Sequence, residues 1–416
     1  MTAPLPTHLY PRPAIELADI LRTYLPDYLE DHKLPAHYHK VLRAIMNCRT
    51  AALDAHAAQC DECGTMEFSY NSCRNRHCPK CQGSAKLKWL GLRVEELLPV
   101  PYYHGVFTLP HLLNLLLYFN AKILYDLLFH AAFAALNDFA ANPKWLGARL
   151  GTIAILHTWG QDLKFHVHLH LIITGGGLAA DNTSWIAPKY EDNNFLFPVR
   201  ALSKVFRGKF IEALEDLINR NELELPGELA DLRHPVVFAD FKRKLHDEEW
   251  VVYAKPPFGG PEQVLSYICR YTHRVAISNH RLKDMADGKV TFEYIDYKDG
   301  HTTKVMELPA AEFIRRFLRH IVPPRFVRIR YSGIFAGGKR KKNLALAKDL
   351  ILAGIEKAAE TMKRLKDHAR ELFEAARWKC SACKEGTMEF IELLRWHPVE
   401  QCFVGPTIRC GPSRFG

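Results

Sequence analysis

Between residues 152 and 178 the chain changes from a continuous apolar run to strict alternation and back. Thr152-Ile-Ala-Ile-Leu156 is apolar and β-branched. After Trp159-Gly160-Gln161 come His166-Val-His168-Leu-His170, then Leu-Ile-Ile-Thr and Gly175-Gly176-Gly177. Such residues, bounded by glycine, predict strands joined by a short turn. Alternate side chains on a strand share a face about 6.7 Å apart, so the three imidazoles point one way. Elsewhere the spacing is helical. Residues 10–55 read as mostly helical, Ala85 to Leu98 as a helix stopped by Pro99 and Pro101, and His104 to Leu109 as a strand. The apolar stretch from Leu112 to Leu136 is interrupted by Asn114, Asn120, Lys122, Asp126 and His130 and predicts buried helices within 111–141. Helical spacing returns over 200–219 and from Leu344 to Ala376. Val275-Ala-Ile-Ser and Val290 to Tyr294 read as strands around the turn Ala286-Asp-Gly288. Strands interspersed with helices predict an α+β fold with a mostly antiparallel sheet.

Length and composition narrow the classes. A chain of 416 residues with 48% hydrophobic and 25% charged residues is ordinary for a folded protein of two or three domains. No uninterrupted apolar run of transmembrane length stands out, and Met1-Thr-Ala-Pro-Leu-Pro does not read as a signal peptide. A cytoplasmic protein without a membrane partner is expected. A net charge of +10 favours a polyanionic partner.

The eleven cysteines, most in C-x-x-C spacing, favour thiolate metal sites over disulfides. Cys60-Asp-Glu-Cys63 and Cys78-Pro-Lys-Cys81 form two knuckles whose spacing suits a four-thiolate structural Zn²⁺ site. Cys48, Cys73 and His77 lie close enough for ligand exchange or a second ion. Cys380 and Cys383 make a third knuckle, a candidate second zinc site with His397, Cys402 and Cys410 as loose completions. Arg74, Arg76 and Lys80 decorate the first module as candidate phosphate contacts.

Two or three imidazoles on one strand face can hold a divalent ion. About a hundred residues on, Pro256-Pro-Phe-Gly-Gly-Pro261 precedes Val264-Leu-Ser-Tyr267-Ile-Cys-Arg270-Tyr271-Thr-His-Arg274. If helical, this segment sets Tyr267 and Tyr271 one turn apart on one face, with Arg270 and Arg274 on an adjoining one. From Arg315 to Lys342 basic residues, including Arg328, Arg330, Lys339, Arg340, Lys341 and Lys342, interleave with aromatics, a mixture suited to single-stranded DNA. Gly333-Ile-Phe-Ala-Gly-Gly338-Lys339-Arg340 is not a nucleotide-binding loop, because Arg340 stands where a Mg²⁺-binding hydroxyl is needed.

The joint pattern resembles the two-tyrosine rolling-circle transposases of the HUH endonuclease superfamily, specifically the IS91-type insertion-sequence group. The resemblance rests on Cys60 to Cys81, Tyr103-His-Gly-Val-Phe-Thr-Leu-Pro110, Trp159-Gly160-Gln161, His168-Leu-His170, Tyr267-x-x-x-Tyr271 and Arg328-Ile-Arg-Tyr-Ser-Gly-Ile-Phe-Ala336. It covers roughly residues 40 to 336. It implies an HUH core that holds Mg²⁺ or Mn²⁺ through His168 and His170. Gln161, at the end of the preceding strand, is the first expectation for a third ligand and His166 the second. Tyr267 and Tyr271 are the implied nucleophiles, cutting and rejoining single-stranded DNA of element ends and target through a 5′-phosphotyrosine. The implied division is a zinc-binding DNA-binding domain over 1–98, a catalytic domain over 99–336 and a basic helical region over 337–416. Two alternatives remain: a replication initiator or relaxase with the same chemistry, and a zinc-ribbon nucleic-acid-binding protein without catalysis.

Overall fold

The computed structural model describes residues 13–411 except 82, 95, 190–195, 256–263, 265–274, 297–298 and 355–357. The first elements are helices α1 (Leu17–Asp31) and α2 (Ala36–Met46), then a hairpin of β1 (Ala55–Cys60) and β2 (Met66–Tyr70) and helix α3 (Gly83–Val94). Strand β3 (Tyr102–Thr108) follows, then helices α4 (Asn114–Phe119) and α5 (Ala121–Ala141). The predicted hairpin is β4 (Arg149–Trp159) and β5 (Phe165–Leu178), followed by the short strand β6 (Trp185–Ile186), helices α6 (Val199–Asn219) and α7 (Pro235–Asp247), and strand β7 (Val252–Lys255). Next come the meander β8 (Leu282–Ala286), β9 (Lys289–Asp296) and β10 (Thr302–Pro309), helix α8 (Ala310–Leu318) and strand β11 (Ile329–Gly333). The chain ends in helices α9 (Arg340–Gly354) and α10 (Ala358–Ala375) and strands β12 (Met388–His397), β13 (Cys402–Val404) and β14 (Arg409–Cys410).

The central sheet runs β11-β4-β5-β3-β7, each pair antiparallel, with β6 added beside β5. Pleating divides its residues between two faces. Phe107, Ala154, Leu156, Leu169 and Leu171 enter one core with α5 and α6, where Phe107 meets Phe206 edge-on at 5.0 Å. Each large apolar side chain buried there contributes about 1.5–3 kcal/mol. Helix α5 is long and apolar enough to cross a membrane, but most of its apolar window is buried inside this core. On the opposite face, Tyr102, Ile153 and Ile172 join residues of α3, α9 and α10 in a second cluster. The histidines of β5 lie on that second face. A third core packs α1 and α2 against the β8–β10 meander and α8, with Phe292 against Phe313.

Glycine is required where backbones converge on the central sheet. A Cβ on Gly177 would sit 2.6 Å from the Arg149 carbonyl oxygen, and one on Gly175 2.8 Å from that of Pro101. Gly333 has φ +63°, and a Cβ there would overlap the Leu150 carbonyl.

Three sequence expectations need correction. Val275–Ser278 forms no strand; Ala276 and Ile277 are buried in the third core through irregular backbone. The C-terminal region is not simply helical, because it ends in β12–β14. Nor is it separate: β12 pairs with β1, giving the sheet β14-β13-β12-β1-β2, so the expected division between 1–98 and 337–416 is crossed by strand pairing.

Candidate active site

Strand β5 carries His168 and His170, both about 8% exposed, on one face as the alternation predicts. Their Nε2 atoms lie 3.1 Å apart. The third imidazole comes from β4. His157 stands in register with His168, and its ligand nitrogen converges with those of His168 and His170 within 4.8 Å. His157, which no spaced motif singled out, thus stands beside the two expected histidines. Gln161 sits past the end of β4 in the turn, where its backbone carbonyl accepts a hydrogen bond from Arg281. His166 is not part of the convergent group; its ring packs against His111, with centroids 5.5 Å apart. Burial pushes the His166 pKa down, with His111 nearby adding to the effect.

Neighbouring groups orient the three rings. The Nδ1–H of His168 donates to the His166 carbonyl at 2.9 Å, which puts the proton on Nδ1 and turns Nε2 towards Nε2 of His170. On His170, Nδ1 is hydrogen-bonded at 3.1 Å to Nε2 of His104, from the adjacent strand β3. The His157 ring stacks on Trp159 at 4.6 Å, and the Arg328 guanidinium lies 5.9 Å from the centre of that indole. Such outer contacts fix tautomer and ring direction in metal-binding histidines. Buried, convergent imidazoles are a fitting donor set for one divalent ion, which can take further oxygen ligands.

The turn leading into β5 is fixed from outside. Leu163 adopts φ +59° and is fully buried. Its carbonyl accepts a hydrogen bond at 3.0 Å from Nε2–H of His320, whose Nδ1 lies 3.3 Å from the Thr158 hydroxyl. Burial holds the His320 pKa down at about 4.

The expected nucleophiles Tyr267 and Tyr271, and the adjoining Arg270 and Arg274, lie outside the described residues. Val264, three residues before Tyr267, is fully buried and belongs to the cluster containing Tyr102, Ile153 and Ile172 on the histidine face of the sheet.

The thiolates group differently from the expected quartet. Cys78 and Cys81 join Cys48 and Cys73, while Cys60 and Cys63 join Cys380 and Cys383. The reason is chain direction. The β1–β2 hairpin carries the first knuckle to the far end of its sheet, whereas the stretch after β2 returns Cys73 and the second knuckle to Cys48 at the end of α2. His397, Cys402 and Cys410 belong to neither group. In the first quartet Cys73 and Cys81 have Sγ atoms 3.7 Å apart. Neighbouring thiols, Cys73 foremost, pull the Cys48 pKa down to about 7. Both quartets are chemically fit for structural zinc.

Of the expected DNA contacts, Arg74, Arg76, Lys339, Lys341 and Lys342 are exposed, although Arg76 also bonds within the protein. Arg76 donates to the Phe326 carbonyl at 2.5 Å, and Lys80 pairs with Glu16. Arg330 pairs with Asp126 and lies 4.3 Å over Phe129, and Arg340 pairs with Glu96 and lies 4.4 Å over Tyr331. Arg328 is 9% exposed, and burial followed by the charge of Arg76 lowers its pKa to about 10. Arg328, Arg330 and Arg340 thus also fasten β11 and α9 to the sheet and the neighbouring helices.

Residues 20–109 match a family described as "Transposase zinc-binding domain", and residues 151–343 one described as "Putative transposase". The chain is 45% identical over 381 residues to "Putative transposase y4qJ" of Sinorhizobium fredii, a match covering 91% of this chain and 95% of that protein. It is 29% identical over 304 residues to "Transposase for insertion sequence element IS801" of Pseudomonas savastanoi pv. phaseolicola, covering 70% of this chain and 68% of the relative. No solved structure matches. With its zinc-binding segment and its transposase segment both matched in order, and a relative of nearly equal length at 45% identity, the chain belongs to the IS91-type family of insertion-sequence transposases.

Proposed function

We propose that this protein is a transposase that nicks and rejoins single-stranded DNA by metal-assisted tyrosine transesterification on an HUH-type core. The observation that carries the reading is the convergence of His157, His168 and His170 on adjacent strands of an antiparallel sheet. A divalent ion held there would act as Lewis acid on a scissile phosphate and template its oxygens. The rest of the chemistry falls to the chain. A tyrosine hydroxyl, with an ordinary pKa near 10, is a weak nucleophile and needs a positioned phosphate. In the first step the phenolic oxygen of Tyr267 or Tyr271 bonds to phosphorus and the P–O3′ bond breaks. The phenol gives up its proton and the departing 3′ oxygen takes one up. The strand then carries its 5′ phosphate on tyrosine. A 3′-hydroxyl from another strand reverses the reaction and restores the phenol. One phosphodiester is exchanged for another, so no nucleotide is consumed. Two tyrosines suit alternating attacks on donor and target strands.

The surroundings of the centre favour single strands over duplex. His111 lies beside His166, and α4 continues from it with Leu115, Tyr118 and Phe119 all exposed. The Arg319 guanidinium sits 5.4 Å over the Tyr118 ring. Exposed rings alongside cations suit unstacked bases and their phosphates. Among the described residues, the expected basic contacts Arg74, Arg76, Lys339, Lys341 and Lys342 are exposed. In this reading the zinc-binding segment supplies further DNA contacts.

The test is incubation of the protein with labelled single-stranded DNA from the ends of its own element and Mn²⁺, followed by denaturing protein electrophoresis. A labelled species at protein mass is expected, absent from Tyr267→Phe/Tyr271→Phe and from His168→Ala. Cleaved DNA with no adduct identifies a metal hydrolase instead, and binding without cleavage overturns the catalytic reading.

A further inference from the structure

We propose that Cys60, Cys63, Cys380 and Cys383 hold a structural zinc ion at a site assembled from the two ends of the chain, and that this ion clamps the C-terminal strands to the N-terminal sheet. The inference does not depend on the histidine chemistry. Its first support is geometric. The four sulfurs lie within 4.8 Å of one another, with Cys60–Cys383 and Cys63–Cys380 each at 3.7 Å. A zinc tetrahedron with Zn–S bonds of about 2.3 Å has edges of about 3.8 Å. The separations are far from the roughly 2.05 Å of a disulfide, and all four thiols are free.

The second support is that both knuckles are built alike. Cys60 N–H donates to Thr65 O at 2.9 Å, and Cys380 N–H to Gly386 O at 3.0 Å. Each knuckle then closes on its first cysteine, Gly64 N–H to Cys60 O at 3.1 Å and Lys384 N–H to Cys380 O at 3.2 Å. Gly64 and Lys384 both take left-handed backbone, φ +71° and +66°. Backbone N–H groups also aim at sulfur, from Cys63 to Cys60 Sγ at 3.5 Å and from Gly386 to Cys383 Sγ at 3.3 Å. Amides directed at sulfur stabilise thiolates, the form that binds metal.

The third support is the fit between the halves. Thr387 N–H donates to the Asp61 carboxylate at 2.7 Å, and Ser381 N–H to Glu67 at 2.8 Å. A Cβ on Gly386 would come within 2.3 Å of Cys60 Sγ. The second knuckle thus seats on the first so closely that only glycine is admitted. Strand pairing continues directly from it, with Cys60 opposite Met388. The other quartet is complete without these residues, so the chain would carry two structural ions. An ion bound only by the folded arrangement contributes its binding free energy to folding. Because this one joins residues more than three hundred positions apart, its loss frees both ends of the sheet together.

The test uses the full-length zinc-loaded protein under reducing conditions. Pulsed alkylation read by mass spectrometry is followed through a chelator titration, with zinc content measured in parallel. Cys60, Cys63, Cys380 and Cys383 are expected to be protected together and to become reactive over one common chelator range. Cys380→Ser/Cys383→Ser should lose one zinc per chain and expose Cys60 and Cys63, with Cys48, Cys73, Cys78 and Cys81 still protected. Rapid labelling of Cys380 and Cys383 while Cys60 and Cys63 stay protected overturns the site. So does protection indifferent to chelator, or zinc content unchanged in the double variant. The wild-type titration decides the question even if that variant fails to fold.

Discussion

At the scale of single residues, the alternation of histidine and aliphatic residues in β5 showed which side chains share a face, and the structure keeps His168 and His170 together. What it could not show directly was His157, which lies within an apolar strand and belongs to no spaced motif. A register signal did exist: a hairpin folded about Asp162–Leu163 sets 157 opposite 168. His157→Gln keeps the bulk of the side chain while removing the imidazole. It should reduce metal-dependent cleavage on the order of 100-fold or more, whereas Gln161→Ala should change it little. Cleavage rates measured across a Mn²⁺ titration separate the two. All-imidazole donors also suit a transition-metal ion better than Mg²⁺, so Mn²⁺ should support cleavage at lower concentration than Mg²⁺ in the same assay. His320 makes a pH prediction. Its folded pKa of about 4 lies below the ordinary value of about 6.5. Between these values the unfolded chain binds a proton that the folded chain does not. Stability is therefore fully present above about pH 6.5 and falls as the pH drops towards 4, by about 3 kcal/mol from this group. Urea unfolding midpoints across that range should show the loss, and His320→Asn should flatten it.

At the scale of elements, strands and helices with a period of their own were legible: the β4–β5 hairpin, the helices of 111–141, and β9 after a turn in which Asp287 and Gly288 both have positive φ. Val275–Ser278 misled because a short apolar run fits a buried loop as well as a strand. The basic tract of 315–342 was only partly legible, for a different reason. Charge spacing does not reveal whether Asp126 or Glu96 waits nearby, and an arginine paired inside the fold serves the fold. The exposed rings of α4 were likewise hidden in a segment read as buried helix. Tyr118→Ala removes one ring and the seat of Arg319 without touching the sheet. It should weaken single-strand binding by about 1–3 kcal/mol and leave duplex binding nearly unchanged, as fluorescence anisotropy on both forms would show. At the edge of the central sheet, Gly333→Ala forces a Cβ into the Leu150 carbonyl at φ +63°. Left-handed backbone alone costs about 1–2 kcal/mol, and the clash adds to it, so the thermal midpoint should drop by several degrees or more.

At the scale of the whole molecule, the sequence suggested three consecutive units, but strand pairing joins the first to the last. Long-range pairing of this kind leaves no local signature: nothing in the sequence of β1 or of β12 specifies the other. The cysteine knuckles came nearest to a signal, since a pair without a partner invites a search for one elsewhere in the chain. The consequence is testable by truncation. Deleting residues from Arg377 onward removes β12–β14 and leaves β1 paired only with β2. A two-stranded hairpin is marginal in water. The deletion would also expose the faces of Ala55 and Ala57 that now pack with Leu394 and Phe403. The central sheet, with its own two cores, loses no strand. Limited proteolysis of the truncated protein should therefore cut first within residues 50–70, while the segment from β3 to β11 stays protected as in the full chain. Equal loss of protection throughout would mean that the two ends stabilise the central sheet as well, and that the molecule folds as one cooperative unit.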